Sequence, residues 1–395
     1  MRLVVCTAAW LQHRRWRYRN HLMIPIHEAQ QTVIEACAVL PPRPTACEVM
    51  NGRVLAQDVV APENVPPFTN TAVDGYAVRA ADVQSVPVVL RVVDTLAAGA
   101  APTVAVGSGE AIRIMTGAPM PQGADAVVMV EDSVREGDAN VSLSRAAKVG
   151  DGIRDAGSDV RAGESVFVAG TVLNAAGAGV LASVNARSVL AYPRARVALL
   201  STGDELVTDG SPLRIGQIRE SNLTMLDAMI AASGCDVNNL GVVRDDEAEL
   251  ERVLLDVVEH CDAIVTSGGV SMGDFDYVKV VLDRIGDMRW MQIAIRPAKP
   301  LAFGTLARSD GTAVPVFGLP GNPVSSMVSY ELFCRPGLRK MSGFGDDNLD
   351  VGIVKGVLTE PLRRRADGKT HFARVVCEWD DKNSRYTVRS AGAQG

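Results

Sequence analysis

Aromatic side chains are scarce in this chain of 395 residues, which has eight Phe, four Trp and six Tyr. Its cores must therefore be built mostly from Val, Ala, Leu, Ile and Met. There is no basic excess either: the formal net charge is −6, so no overall positive field favours nucleic acid. Seven cysteines occur (Cys6, Cys37, Cys47, Cys235, Cys261, Cys334, Cys377) but no CxxC pair. An odd, widely spaced set suits buried or free thiols in a reducing compartment, not a disulfide framework or a zinc site. The five histidines do not cluster, which removes a His-rich metal centre. No apolar run approaches the ~18–20 residues of a membrane span. The expectation is a soluble, cytoplasmic protein with neither a membrane nor a nucleic acid as partner. GxxxxGK[ST] and GxGxxG are also missing, which disfavours a P-loop ATPase and a standard dinucleotide enzyme.

What is present points to a globular enzyme-sized chain. Hydrophobic residues make up 47% and charged residues 22%, enough to bury sizeable cores and to exclude general disorder. The 36 Gly and 20 Pro imply many turns and argue against an all-helical bundle. At roughly 150 residues per domain, two to three domains are expected. Residues 1–22 differ from the rest: Arg14, Arg15, Arg17 and Arg19 crowd with Trp10, Trp16 and Tyr18. The short apolar stretch Leu3–Trp10 precedes the arginines, the reverse of a secretory signal. This segment reads as a disordered or non-native extension ahead of Met23.

Apolar positions Ile26, Ala29, Val33, Ile34 and Ala38 recur at helical spacing until Pro41-Pro42. Between about 60 and 170 come short Val-rich segments (Val86–Val93, Ala111–Met115, Ala126–Val130, Ser165–Val168) punctuated by Gly, Pro and Asp, the mark of a β-rich region. Asn174–Ala186 reads as a short helix. From 194 to 337 the pattern changes. Arg196–Leu200, Val237–Val243, Ala263–Thr266, Ile293–Ile295, Leu301–Phe303 and Val314–Phe317 read as strands. Between and after them, helices are expected from Ser221 as cap, over Glu247–His260, over Phe275–Ile285 and from about Asn322 to Phe333. Strand–helix alternation of this kind predicts an α/β fold with a doubly wound, mostly parallel sheet. Beyond Pro336 short β segments are expected at Val351–Val357, Phe372–Cys377 and Tyr386–Val388.

In such a sheet, ligands bind at the carboxyl ends of the strands. Three loops fall there: Ser201-Thr202-Gly203-Asp204-Glu205, Thr266–Asp274, and Leu319–Ser326, which contains Pro320, Gly321, Asn322 and Pro323. Each mixes glycines with hydroxyl residues, so backbone N–H groups can approach a phosphate-like anion. Glu205, Asp245, Asp274 and Asp276 sit in or beside these loops. Carboxylates next to an anion repel it unless a divalent cation lies between, and an oxygen-only donor set suits Mg²⁺. Ordinary helix capping is the competing reading for Asp245 and Asp274. Arg296 and Lys299, flanking Pro297, offer fixed cations for an oxyanion, or else form a solvated surface turn. Gly269-Val270-Ser271-Met272-Gly273 satisfies GxSxG formally. Ser267-Gly268 lengthens the loop beyond a nucleophile elbow, and only His371 follows it, so a serine hydrolase is not indicated.

Four strings carry a resemblance: Asp74-Gly75-Tyr76-Ala77, Arg113-Ile114-Met115-Thr116-Gly117-Ala118, SGGVSMGDFDYVK from Ser267 to Lys279, and LPGNPVSS from Leu319 to Ser326. Together, in this order from about Ile24 to Gly395, they resemble the molybdopterin molybdenumtransferase family, the MoeA/gephyrin E-domain group. The resemblance implies four parts. These are an elongated segmented domain (23–60 and 145–193), an inserted small β domain (61–144), a molybdopterin-binding α/β domain (194–337) and a C-terminal β domain (338–395) that lacks the family's closing segment. It implies a homodimer that takes adenylyl-molybdopterin and molybdate, requires Mg²⁺, inserts molybdenum and releases AMP. Contacts with the adenylyltransferase and with molybdoenzyme acceptors are implied as well.

By position, Asp74, Thr116, Glu205, Asp245 and Asp276 resemble the family's catalytic residues, with Glu205 and Asp276 at the metal. Ser267, Gly268, Gly269, Ser271 and Asp274 resemble its pterin and phosphate loop. Arg296, Lys299, Pro320, Gly321, Asn322, Pro323 and Arg374 resemble its remaining substrate contacts. Gln292 stands where family members often carry a lysine, which removes one cation. An adenylyltransferase acting one step earlier, or a non-catalytic scaffold of the same fold, are the alternatives.

Overall fold

The computed structural model describes residues 23–269, 277–362 and 366–392. Contacts divide it into two units: one holds the described residues up to Arg43, Gly52–Ala56 and those from Ala191 onward, the other Pro44–Asn51 and Gln57–Leu190.

The first unit is built on a six-stranded sheet: β1 (Arg196–Thr202), β2 (Asp236–Val243), β3 (Ala263–Ser267), β4 (Gly286–Gln292), β5 (Pro300–Ala307) and β6 (Ala313–Leu319). Their order is β2-β1-β3-β6-β5-β4. The pairs β1–β2, β1–β3 and β3–β6 are parallel, whereas β5 runs antiparallel to both β6 and β4. Helices α1 (Asn222–Ala232), α2 (Glu247–Val258), α3 (Tyr277–Ile285) and α4 (Pro323–Ser329) follow β1, β2, β3 and β6.

Double winding is written into the strands residue by residue, because successive side chains point to opposite faces. Val197, Leu199, Ala263, Val265, Phe317 and Leu319 pack with Leu223, Leu226 and Ile230 of α1 and with Ala29 and Val33 of the helix Ile26–Ala36. The intervening Ala198, Leu200, Ile264, Val314 and Val316 pack with Leu250 and Leu254 of α2 and with Val278, Val281 and Leu282 of α3. Strands covered on both sides must be apolar without a break, and RVALL is.

The structure corrects several sequence expectations. Ile293–Ile295 is not a strand of the main sheet; Ile295–Arg296 pairs instead with Thr370–His371. The missing sixth strand is Gly286–Gln292, whose alternation places Met288 and Trp290 against one core and Met291 against the other. It follows α3 with no loop, so no turn signal marks it. Pro336 does not end helical structure: after α4 a π turn (Tyr330–Cys334) leads straight into a helix Arg335–Met341. Pro336 sits in its first turn, where a missing N–H costs little. Ser221 makes no side-chain cap bond on α1; Glu220 accepts from the Leu223 N–H at 2.8 Å instead. The carboxy-terminal strands are Gly356–Leu358, Val375–Asp380 and Arg385–Ser390, with Val351 to Lys355 outside them.

The second unit carries a sheet in the order Ala126–Met129, Gly75–Val78, Glu110–Ile114, Val88–Leu96, Asn140–Leu143, Ser133–Glu136. Tyr76, Val78 and Val128 enter one core, and Ala77, Val127 and Ile112 another. The expected Ala-rich helix forms over Ala175–Ser183, capped by Asn174, which accepts from the Gly177 N–H at 2.9 Å. Cys37, Cys47, Cys235, Cys261, Cys334 and Cys377 are free thiols, all but Cys377 buried. Among the described residues no helix is long and apolar enough to cross a membrane.

One ionic knot fastens the amino ends of β1 and β3. The Asp262 side chain, only 9% exposed, accepts from the Arg196 N–H at 2.9 Å, from its guanidinium at 2.9 and 3.1 Å, and from Arg308 at 3.3 Å. Burial pushes the Asp262 carboxyl up, but the Arg196 bonds outweigh it and hold the group below the ordinary carboxylate value. A depressed carboxylate stabilises the fold above its unfolded-state pKa, and loses that contribution as pH falls through the folded-state pKa. Asp262→Asn should therefore cost about 2 kcal/mol at pH 7, and the cost should shrink as pH falls below the ordinary aspartate value, read from denaturant melts across that range.

Candidate functional site

The strand order makes β1–β3 the point where chain direction across the sheet reverses, the place at which sheets of this kind form a ligand crevice at their carboxyl ends. The three loops do converge on it. Ser201 Oγ at the end of β1 donates to the Ser267 carbonyl at the end of β3, at 3.1 Å. The Gly268 N–H donates to the carbonyl of Leu319, the last residue of β6, at 3.1 Å. Gly268 has φ +92°, and a Cβ built there would stand 3.0 Å from the Thr202 carbonyl oxygen, so this turn both adopts a left-handed backbone and lies close on the β1 loop. Asn322 caps α4, accepting from the Val324 and Ser325 N–H groups at 3.1 and 3.2 Å, with Pro323 in the first turn. Between them Pro320 and Gly321 complete the third loop, and a Cβ on Gly321 would lie 3.8 Å from Gly268 Cα.

Carboxylates gather on the β2 side of the crevice. The Asp204 N–H donates to Asp245 Oδ2 at 3.2 Å, and the Asp245 N–H returns a long bond to Asp204 Oδ1 at 3.5 Å. The Glu205 carboxylate folds over Gly203, where a Cβ would meet its Oε2 at 2.6 Å. Helix α2 is capped by Asp246, which accepts from the Glu249 N–H at 2.8 Å. The capping explanation thus belongs to Asp246, and Asp245 is left to the acidic group. Burial, then the charges of Asp204 and Glu205, push the Asp245 carboxyl above its ordinary value. A carboxyl raised on folding opposes stability at pH values where it is ionised. Asp245→Asn should consequently raise the Tm slightly at pH 7 while lowering turnover. A lowered Tm would contradict the repulsion.

The cationic turn opens on the same edge of the sheet. Gln292 pairs with Pro300 and Ala302 with Gly318, so residues 293–299 emerge beside the end of β6. Arg296 and Lys299 are exposed there, and neither makes an ion pair among the described residues. The Ile293 N–H closes this turn onto the Lys299 carbonyl at 2.7 Å. Phe372 N–H donates to the Arg296 carbonyl at 2.8 Å, which brings Arg374 within two residues of this strip. Ser271, Asp274 and Asp276 lie outside the described residues.

Asp74 and Thr116 belong to the other unit and form a pair of their own. Both the Thr116 N–H and its Oγ1 hydroxyl donate to Asp74 Oδ1 at 2.7 Å, and these bonds hold the exposed Asp74 carboxyl below its ordinary value. Sequence reasoning missed Asn222 entirely. It donates from Nδ2 to Ser267 Oγ and to the Gly321 carbonyl, each at 2.8 Å. The available signal was an Asn in the first turn of a helix just past a ligand loop, a residue type that favours local side-chain bonds over helix interiors.

Fold and site together define an α/β protein whose strand-end turns and acidic side chains gather at the switch point of its sheet. The chain matches the model described as MoeA N-terminal region (domain I and II) over residues 24–185, and the probable molybdopterin binding domain over residues 198–340. It is 37% identical over 326 residues to the molybdopterin molybdenumtransferase of Haemophilus influenzae, covering 81% of this chain and 78% of that one. To molybdopterin molybdenumtransferase 2 of Mycobacterium tuberculosis it is 37% identical over 368 residues, covering 90% and 88%. The solved molybdopterin biosynthesis moeA protein of Pyrococcus horikoshii superposes with a TM-score of 0.71 at 28% identity, over 95% of this chain and 91% of that one. The chain belongs to the molybdopterin molybdenumtransferase family.

Proposed function

We propose that this protein inserts molybdenum into molybdopterin, consuming adenylyl-molybdopterin and molybdate and releasing AMP. One observation carries the reading. The turns at Ser201, Gly268 and Gly321 bond to one another at the switch point, with Glu205 and Asp245 on one side and Arg296 and Lys299 on the same sheet edge. The Ser267–Gly269 turn and the Asn322-capped loop line the phosphate and pterin oxygens of the ligand. Arg296 and Lys299 hold the molybdate oxyanion until the dithiolene is exposed.

An oxygen-only set of acids beside a phosphate turn is the donor chemistry Mg²⁺ takes, but the described residues alone hold no group of three or more ligating side chains, so the site would need Asp276 and ligand oxygens to complete it. Burial, and after it the charges of Asp204 and Glu205, raise the Asp245 carboxyl there. Glu205 would hold the ion with Asp276 and phosphate oxygens, and the ion supplies positive charge against the scissile phosphate. Asp245, poised closer to neutrality than an ordinary aspartate, orients the attacking oxygen of molybdate or water and accepts its proton. A second copy of the chain contributes its Asp74–Thr116 pair, so the working enzyme is a homodimer.

The deciding experiment mixes the purified chain with adenylyl-molybdopterin, molybdate and Mg²⁺ and measures AMP. Molybdate-dependent AMP release is expected. Consumption of ATP with molybdopterin instead would mark an adenylyltransferase, and neither reaction would mark a scaffold.

A further inference from the structure

We propose that Asn222 is a positioning residue, fixing the spacing of the two ligand turns and the hydrogen-bond polarity of Ser267. Asn222 opens α1 and is 7% exposed; Ser267 is 1% exposed. The Gly321 carbonyl oxygen only accepts, so the group facing it at 2.8 Å must be the amide nitrogen, which settles the orientation of the carboxamide. Its second N–H goes to Ser267 Oγ, also at 2.8 Å. Both donors of one amide are thus spent on two loops that leave different strands, β3 and β6.

Two consequences follow from donor arithmetic. First, the carboxamide sets how far the Ser267 turn stands from the Gly321 turn, because slipping either loop breaks a nearly buried bond. Second, Ser267 Oγ is made an acceptor toward Asn222, so its own proton is kept for another oxygen. In a crevice that binds an anion, that proton is a donor to ligand phosphate. The acceptor end of the same amide, Asn222 Oδ1, is buried with no hydrogen-bond partner among the described residues. A ligand hydroxyl or amino group would satisfy it.

The inference rests on reading the crevice as the adenylyl-molybdopterin site, so its test has one arm that needs no reaction. In ligand-free protein, Asn222→Ala should speed amide exchange at Gly268, whose N–H bonds Leu319, by about tenfold or more. In turnover it should raise KM for adenylyl-molybdopterin about tenfold and leave kcat within about threefold. Asn222→Asp should be worse, because its carboxylate takes the Ser267 proton and repels the Gly321 carbonyl. Adding Ser267→Ala to it should recover part of that loss, whereas independent roles would make the two effects add. Exchange and KM within twofold of wild type in Asn222→Ala would overturn the proposal. So would a fall in kcat alone alongside a lowered Tm, the pattern of a merely structural residue. Faster Gly268 exchange in a chain whose wild type releases no AMP would uphold the staple and sink the reaction instead.

Discussion

Glu205→Gln is expected to cut the maximal rate of AMP release at least about a hundredfold while leaving the melting temperature within about 2 °C of wild type. The turn that carries Glu205 is held by its backbone: the Leu206 N–H bonds the Gly203 carbonyl at 3.1 Å, and the Ile218 N–H bonds the Glu205 carbonyl at 2.9 Å. Glutamine is nearly isosteric and leaves these bonds alone, so the change removes a negative charge and little else. If the carboxylate binds Mg²⁺ against the scissile phosphate, the lost charge weakens the ion and with it the stabilisation of phosphate charge in the transition state. Raising Mg²⁺ should then restore part of the rate. Single-turnover AMP release across a Mg²⁺ series is the measurement. A rate within threefold of wild type would remove Glu205 from the metal site.

Much of this crevice was legible before any coordinates. Continuous apolar runs such as Arg196–Leu200 admit one placement, a strand covered on both faces. Once three such strands alternate with amphipathic helices, their carboxyl ends must share an edge. Gly268 and Gly321 advertised close backbone approach, and the turns at Ser201, Gly268 and Gly321 do meet. The illegible parts have physical causes. Gly286–Gln292 mixes Asp287 and Arg289 with Met and Trp, because it is an edge strand with one flank in solvent, and its pattern is too weak to separate from the preceding helix. Pro336 reads as a breaker, yet it stands in the first turn of the helix Arg335–Met341, where a missing N–H costs little. Asp245 and Asp246 are adjacent acids before one helix, and only geometry reveals which one caps it. Asn222 was invisible for a related reason: its role is a bond between loops about 50 and 100 residues further along the chain, which no local pattern encodes.

Gly75→Ala should be the most damaging small substitution in the second unit, at about 3 kcal/mol and roughly 10 °C of Tm. Gly75 lies opposite both Ile114 and Met129, inside the sheet. A Cβ there would sit 2.1 Å from the Val128 carbonyl oxygen and 2.9 Å from Val127 Cγ1. No rotamer can relieve a clash between a Cβ and a backbone oxygen, so the two strands must separate and surrender ladder bonds. The damage reaches the candidate site residue beside it. Asp74 is held through its own carbonyl, which accepts from the Val130 N–H at 3.0 Å, while Arg113 donates to the Gly75 carbonyl at 2.8 Å. Moving the strand therefore pulls Asp74 away from Thr116, and AMP release should fall even below the transition temperature. The control is the same change at Gly179, on the exposed side of the helix Ala175–Ser183, where a Cβ meets nothing within 4 Å. Alanine there relieves a glycine in a helix and should add about 0.5–1 kcal/mol. Opposite signs for one chemical change at two positions would tie the effect to the strand contact, and a Gly75→Ala protein melting within 2 °C of wild type would refute it.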